Sequence, residues 1–237
     1  AELIKLYSYR LTNFDWVLHL DADVIVTKSF MELFYFNKSL IYTTDPNMAS
    51  YKGDHQMPVQ GGFLLIKPSL EDYDRIIAVL MEGDYRSGSA WGGTGIGWFW
   101  GGKTIQGVLA YYYNQLNPPE RSLRVDRCIY NTMADTPECK VKSVQEVKSA
   151  HFTICQKPWN CDNGFANNLC GELHLKWRQE CIATSHYYNL TSPNSCCNSR
   201  GHYVPLPLSN AIIPSNHRFS LNIYPQVQVK RLNPLPG

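Results

Sequence analysis

Along the first two thirds of the chain, short continuous apolar runs alternate with helical stripes, the pattern of an α/β protein. Ile4, Tyr7 and Leu11 recur at helical spacing between Glu2 and Thr12 before Asn13 breaks the pattern, which predicts a helix packed on a sheet with Lys5 off its apolar stripe. Trp16 to Val26 is apolar apart from His19, Asp21 and Asp23, and predicts a strand buried on both faces with the acids at its end. Phe30 to Phe36 reads as a short helix, and Leu40 to Thr43 as a strand closing at Asp45-Pro46. Val59 to Lys67 is a third apolar run, in which Gly61-Gly62 mark close approach of a ligand or of backbone. Ser69 should cap the next helix, with Asp72 at the capping-box position, Tyr73, Ile76 and Leu80 on one face, and Gly83 at the end.

Ser87 to Lys103 mixes glycine with large rings, and Trp91, Trp98, Phe99 and Trp100 suit either a core or a wall on which an apolar ring face stacks. Gly97 to Thr104 also satisfies the P-loop pattern, and a helix through Val108, Leu109 and Tyr112 follows it. No strand pattern precedes it, which argues against a nucleotide triphosphatase. Lys148 to Phe152 predicts a short strand carrying His151, and Leu169, Leu173, Trp177 and Cys181 predict one more helix. Seven of the 14 prolines lie from Pro193 onward, so the end of the chain is expected to be extended.

With 237 residues, 44% of them hydrophobic and 18% charged, the chain can bury a sizeable core. A formal net charge of +2, with scattered Lys and Arg, does not suggest a nucleic-acid surface, and no apolar run is long enough to span a membrane. All eight cysteines fall between Cys128 and Cys197, and no pair has the two-residue spacing of common zinc sites. Disulfides in an oxidising compartment are the expectation, free thiols in a cytosolic protein the alternative. Sequons at Asn37-Lys38-Ser39 and Asn189-Leu190-Thr191 point the same way, towards a glycoprotein.

Two carboxylates one residue apart at a strand end avoid apolar packing and open onto a cleft that attracts a cation, unless they are simply a solvated turn. Hard divalent metals take carboxylate oxygens and finish their shell with water and phosphate. A neutral imidazole added to such oxygens makes Mn²⁺ as suitable as Mg²⁺, so His151 is a candidate ligand or an ordinary buried histidine.

The order Lys5, Asp21-Ala22-Asp23, Gly61 to Ser69, Gln106-Gly107, His151-Phe152 and Lys157-Pro158-Trp159 resembles glycosyltransferase family 8, the glycogenin-like enzymes of GT-A type. This resemblance implies an α/β fold, a mixed sheet flanked by helices, lacking the first βα units that bind uridine and ribose. It implies a partial glycosyltransferase domain over residues 1–160 and a Cys- and Pro-rich helix and tail over 161–237. The activity implied is metal-dependent transfer of a hexosyl unit from a UDP-sugar, with retention, to a carbohydrate or protein acceptor.

By the same resemblance Asp21, Asp23 and His151 hold Mn²⁺ or Mg²⁺, while Lys5 and Lys157 reach the donor diphosphate. Asp21, Gln60, Gly61 and Gly62 contribute to donor binding, and Gln106 and Asp45 lie at the reacting sugar. Asp45 reads equally as a turn-opening residue before proline. The chain departs from the family at Gln60-Gly61-Gly62, where Asn-Ser-Gly is usual, at Gly102 and Ile105, where acids are usual, and at Ile154, where Gly is usual. The missing acids favour a second reading, a non-catalytic protein that binds a sugar or nucleotide. The expected location is the Golgi lumen, or the cytoplasm, with membrane attachment only through a segment preceding Ala1.

Overall fold

The computed structural model describes residues 2–48, 56–161 and 167–188. The proline-rich end, the Asn189 sequon, Cys196 and Cys197 lie outside the described residues. The described part divides into two compact units, one reaching Pro158 and including Asn167–Lys176, the other comprising Trp159–Cys161 and the chain from Trp177.

The first unit is built on a mixed sheet in the order β1 (Val17–Leu20), β4 (Val59–Ile66), β3 (Leu40–Thr44), β7 (Ser122–Arg124). β4 runs antiparallel to both neighbours, and β3 is parallel to β7. A two-stranded sheet pairs β2 (Val24–Val26) with β8 (Ser149–His151), and a hairpin joins β5 (Tyr85–Arg86) to β6 (Ala90–Trp91). The helices are α1 (Met31–Phe34), α2 (Leu70–Glu82), α3 (Ile105–Asn114), α4 (Arg127–Tyr130), α5 (Pro137–Lys140) and α6 (Asn168–Tyr187). A 3-10 helix, Glu2–Arg10, precedes them. This is the α/β architecture of a mixed sheet flanked by helices that the sequence predicts.

Strand alternation sends side chains into two cores. Leu40, Tyr42, Leu64 and Ile66 pack with Leu6, Tyr9, Ile76, Val108 and Leu109 beneath the 3-10 helix, α2 and α3. Ile41, Phe63 and Leu65 point the other way, against Phe30 and Leu33. Leu18 and Leu20 of β1 join this second core, so Val17, His19 and, one step beyond the strand, Asp21 share the parity of the 3-10 helix side.

Two expectations are corrected here. Trp16 to Val26 is not one strand buried on both faces: β1 is half-buried at every residue, with β4 its single sheet neighbour among the described residues. The chain turns at the acids, where the Val24 N–H donates to the Asp21 carbonyl at 3.1 Å, and β2 starts a different sheet. The opening helix is also 3-10 rather than α, with three residues per turn. Its outward row is Ile4, Tyr7 and Arg10, with Ile4 71% exposed. Lys5 and Ser8, and Leu6 and Tyr9, form the buried rows. The α-helical period put the apolar stripe on the wrong side and left Lys5 outside, where in fact it is 7% exposed.

α2 forms as its sequence predicts, with Ser69 Oγ accepting from the Asp72 N–H at 3.1 Å and the Gly83 N–H closing on the Val79 carbonyl. The Asp72 carboxylate does not complete a capping box. It is buried and accepts from the Tyr112 hydroxyl and Arg121 Nη2, each at 2.7 Å. Arg121→Met should therefore destabilise the protein by about 3 kcal/mol in urea denaturation, because it strands a buried charge. Arg75→Met removes only an exposed pair with Glu71 and should cost less than about 0.5 kcal/mol.

Cys128 is bridged to Cys139 and Cys155 to Cys170, and Cys161 and Cys181 are also disulfide-bonded. With six of the eight cysteines accounted for, titration of the denatured, unreduced protein should find at most two free thiols. Eight would show that the bridges do not form.

Candidate functional site

The acids, the histidine and two lysines converge at the turn after β1. Asp21 follows the parity of His19 and meets Lys5, whose Nζ lies 2.8 Å from Asp21 Oδ1 and 2.8 Å from Glu2 Oε2 and donates to the Gly61 carbonyl at 3.3 Å. β8 brings in the distant segment. Val24 is paired with His151, and the Phe152 N–H donates to the Asp23 carbonyl at 2.9 Å, which sets His151 Nε2 3.2 Å from Asp23 Oδ1. Lys157 Nζ makes an ion pair with the other Asp23 oxygen.

One candidate ligand atom from each of Asp21, Asp23 and His151 lies within 4.8 Å of the others, so these residues suit a divalent cation. His151 Nδ1 is buried without a hydrogen-bond partner. Two carboxylates and one imidazole are a donor set that divalent metals take.

The glycines in β4 make this convergence possible. Thr44 pairs with Val59 but Tyr42 with Leu64, so β4 bulges over Gln60 to Phe63. A Cβ on Gly62 would stand 2.6 Å from the His151 ring, and one on Gly61 would stand 3.1 Å from Lys5 Nζ. The close approach foreseen from the sequence is made by two of the site's own side chains.

The charges reinforce one another. Burial alone would raise the Asp21 carboxyl, but the neighbouring His19 ring, the hydrogen bond from Lys5 and the Lys5 charge hold it at about 2. Burial lowers His151, outweighing the pull of Asp23 and Asp21, and keeps the imidazole neutral, as a metal ligand must be. Burial opposes the charge on Lys5, yet its bonds to Asp21 and Glu2 raise its pKa.

Beside the acids opens a cleft of about 230 Å³ lined by Glu2, Lys5, Asp21, Gln60, Gly61, Trp100, Gly101, Thr104 and Gln106. Gln106, in the first turn of α3, accepts from the Gly61 N–H at 3.4 Å. Gln60 Oε1 accepts from the Gly62 N–H and from Asn131 Nδ2, so the group it can offer a ligand is its Nε2.

No protein-family model and no curated protein matches this sequence. Among solved structures the chain is similar to the glycosyltransferase GlyE of Streptococcus pneumoniae, with 15% identity, a TM-score of 0.49, and coverage of 86% of this chain and 48% of that one. It is similar to the galactosyltransferase LgtC in complex with donor and acceptor sugar analogues, with 19% identity, a TM-score of 0.45, and coverage of 73% and 64%. An active-site mutant of LgtC gives 16% identity, a TM-score of 0.49, and coverage of 89% and 70%. The chain thus spans about half the length of GlyE. What it does is a question for its own side chains.

Asp45 is not brought to the cleft lining. It is buried, accepts from the Asn47 N–H at 3.0 Å as a turn-opening residue does, and lies 3.9 Å from Arg127 Nη2, whose guanidinium is held chiefly by Asp135. Burial raises the Asp45 carboxyl, against the opposing influence of Asn47 and Arg127.

Gly102 and Ile105 are sealed against acids. A Cβ on Gly102 would lie 1.7 Å from the Gly97 carbonyl oxygen, and Ile105 is fully buried in the core. The P-loop reading fails on geometry as well, since Lys103 Nζ sits over the Tyr85 ring, 5.0 Å from its centroid. The rings divide, with Trp91 buried in the core, Trp98 exposed, and Trp100, 82% exposed, at the cleft.

Glu2, His19 and Asn131 were not foreseen. His19 sits 3.7 Å from Asp21 through Nε2, and Asn131 fixes Gln60. Two had a sequence signal: Glu2 precedes Lys5 by one 3-10 turn, and His19 precedes Asp21 by one strand period. Asn131 had none.

Proposed function

We propose that this chain carries the metal and diphosphate site of a retaining GT-A glycosyltransferase that transfers a hexosyl unit from a UDP-sugar. One observation carries the reading. Asp21, Asp23 and His151, separated by up to 130 positions (His151 against Asp21), meet within ligand distance of one another, with a lysine on each acid. The glycosyltransferases to which the chain is similar, one of them solved with donor and acceptor sugar analogues, are in keeping with it.

A divalent cation at this site would supply Lewis-acid stabilisation of the charge that builds on a departing diphosphate. Asp21, Asp23 and His151 would hold it. Lys5 and Lys157 stand where they can neutralise the same phosphates. Gln106 and Gln60 orient sugar hydroxyls in the cleft, and Trp100 offers a ring face to a pyranose at its mouth. The bridged cysteines and the exposed Asn37 sequon support a secretory, Golgi-lumenal setting.

A second reading, sugar or nucleotide binding without transfer, is favoured by the sealed positions Gly102 and Ile105. A screen of UDP-sugars with Mn²⁺ on the complete protein separates the two. Hydrolysis or transfer of one donor, lost on chelation, is the expected result. Saturable binding with no turnover would select the second reading, and neither binding nor turnover would remove both.

A further inference from the structure

Each metal-site acid already has an internal counter-ion: Lys5 Nζ lies 2.8 Å from Asp21 Oδ1, and Lys157 is paired with Asp23 Oδ2. Oxygens that must turn to a cation are thus held by ammonium groups. Lys5 is locked further by Glu2 at 2.8 Å and by the Gly61 carbonyl, and His151 Nε2 touches the remaining Asp23 oxygen at 3.2 Å.

We infer that Lys5 and Lys157 make this site selective for a divalent metal together with a diphosphate, and that they oppose the metal when it comes alone. The inference rests on the function proposed above and deepens it.

Charge counting gives the physical reason. Three carboxylates, Glu2, Asp21 and Asp23, face two ammonium groups, an excess of one negative charge, and an imidazole binds a metal only in its neutral form. A bare divalent cation would turn this into an excess of one positive charge and would lie against two ammonium groups. A diphosphate diester alone, with two negative charges, would deepen the negative excess beside Asp21 and Asp23. The two together add no net charge. The lysines can then exchange carboxylate for phosphate oxygen, and the carboxylates can exchange ammonium for metal, so that no buried charge loses its partner. Coupling of this kind is reciprocal, so each ligand must raise the affinity of the other by the same factor.

Lys157 is the better residue to change, because its side chain is a third exposed whereas Lys5 is buried. Mn²⁺ binding by the whole protein is measured by electron paramagnetic resonance, without added anion. Retention of radiolabelled inorganic pyrophosphate, which is more negative than the diester and so is repelled still more strongly without metal, is measured by equilibrium dialysis with and without Mn²⁺, against a protein-free control. The native protein should hold Mn²⁺ alone weakly and retain pyrophosphate only with Mn²⁺.

Lys157→Met should bind Mn²⁺ alone about tenfold or more tightly than the native protein, the effect of freeing one carboxylate oxygen from an ammonium partner, and should retain pyrophosphate less well. These opposite changes are the signature, and circular dichroism confirms that the variant is folded. Unchanged or weaker Mn²⁺ binding by Lys157→Met overturns the inference, and the proposed function stands if Asp23→Asn still abolishes that binding. Failure of every form to bind Mn²⁺, with or without pyrophosphate, overturns both.

Discussion

Asp23→Asn is expected to lower Mn²⁺ affinity, measured with pyrophosphate present, by more than about 100-fold. Losing a group that merely supports a metal ligand typically costs about 10- to 100-fold, and Asp23 is placed to be a ligand itself. One of its oxygens is 3.2 Å from His151 Nε2, and the other is the partner of Lys157, so the change also releases Lys157 from its position. Asp21→Asn and His151→Ala should weaken the same site. Asp15→Asn removes an exposed carboxylate just before β1 and should leave affinity unchanged, since salt screens such charges over about 8 Å. Unchanged affinity in both Asp23→Asn and His151→Ala would reduce the acid pair to a turn between two strands.

The parts of this site that were legible in the sequence are those fixed by side-chain chemistry and local order. Asp21-Ala22-Asp23 after an apolar run, His151 on a short strand and Lys157 six positions later need no coordinates to be recognised as a group. β3, β4 and α2 were likewise legible, because their runs are long and bounded by Pro58, Ser69 and Gly83.

Properties that depend on who packs against whom were not legible. Ile4, Tyr7 and Leu11 match an α-helical stripe as well as any true one, and only the 3-10 winding shows that Lys5, Leu6 and Tyr9 are the buried residues. Asp72 has the right position for a capping box, but Tyr112 and Arg121, which claim its carboxylate, are 40 and 49 residues away. Asp45 follows the end of a strand as Asp21 does, yet it turns to the Arg127 and Asp135 pair instead of the cleft.

Gly62→Ala is expected to be far more damaging than Gly61→Ala, although the two glycines are neighbours on one strand. The added methyl at residue 62 would lie 2.6 Å from both Cε1 and Nδ1 of His151 and 2.8 Å from Gln60 Oε1. Neither neighbour has room to yield. His151 is clasped by β8 pairing and by its own N–H bond to the Thr132 carbonyl, and Gln60 is held by Asn131.

Overpacking of this kind costs about 1–3 kcal/mol, and the upper end is expected here because two fixed groups must move. The displaced imidazole should also take the Mn²⁺ affinity down with it. At residue 61 the methyl meets Lys5 Nζ at 3.1 Å and then only Gln106 Cγ at 3.6 Å and Ile105 at 3.8 Å. The end of a lysine side chain can withdraw by a few tenths of an ångström, so Gly61→Ala should cost less than about 1 kcal/mol and leave the three metal-ligand candidates in place. Urea denaturation gives the stabilities, and the paramagnetic signal of bound Mn²⁺ reports the site. Equal losses of metal affinity in the two variants would mean that the bulge in β4 is not what seats His151 against Asp23.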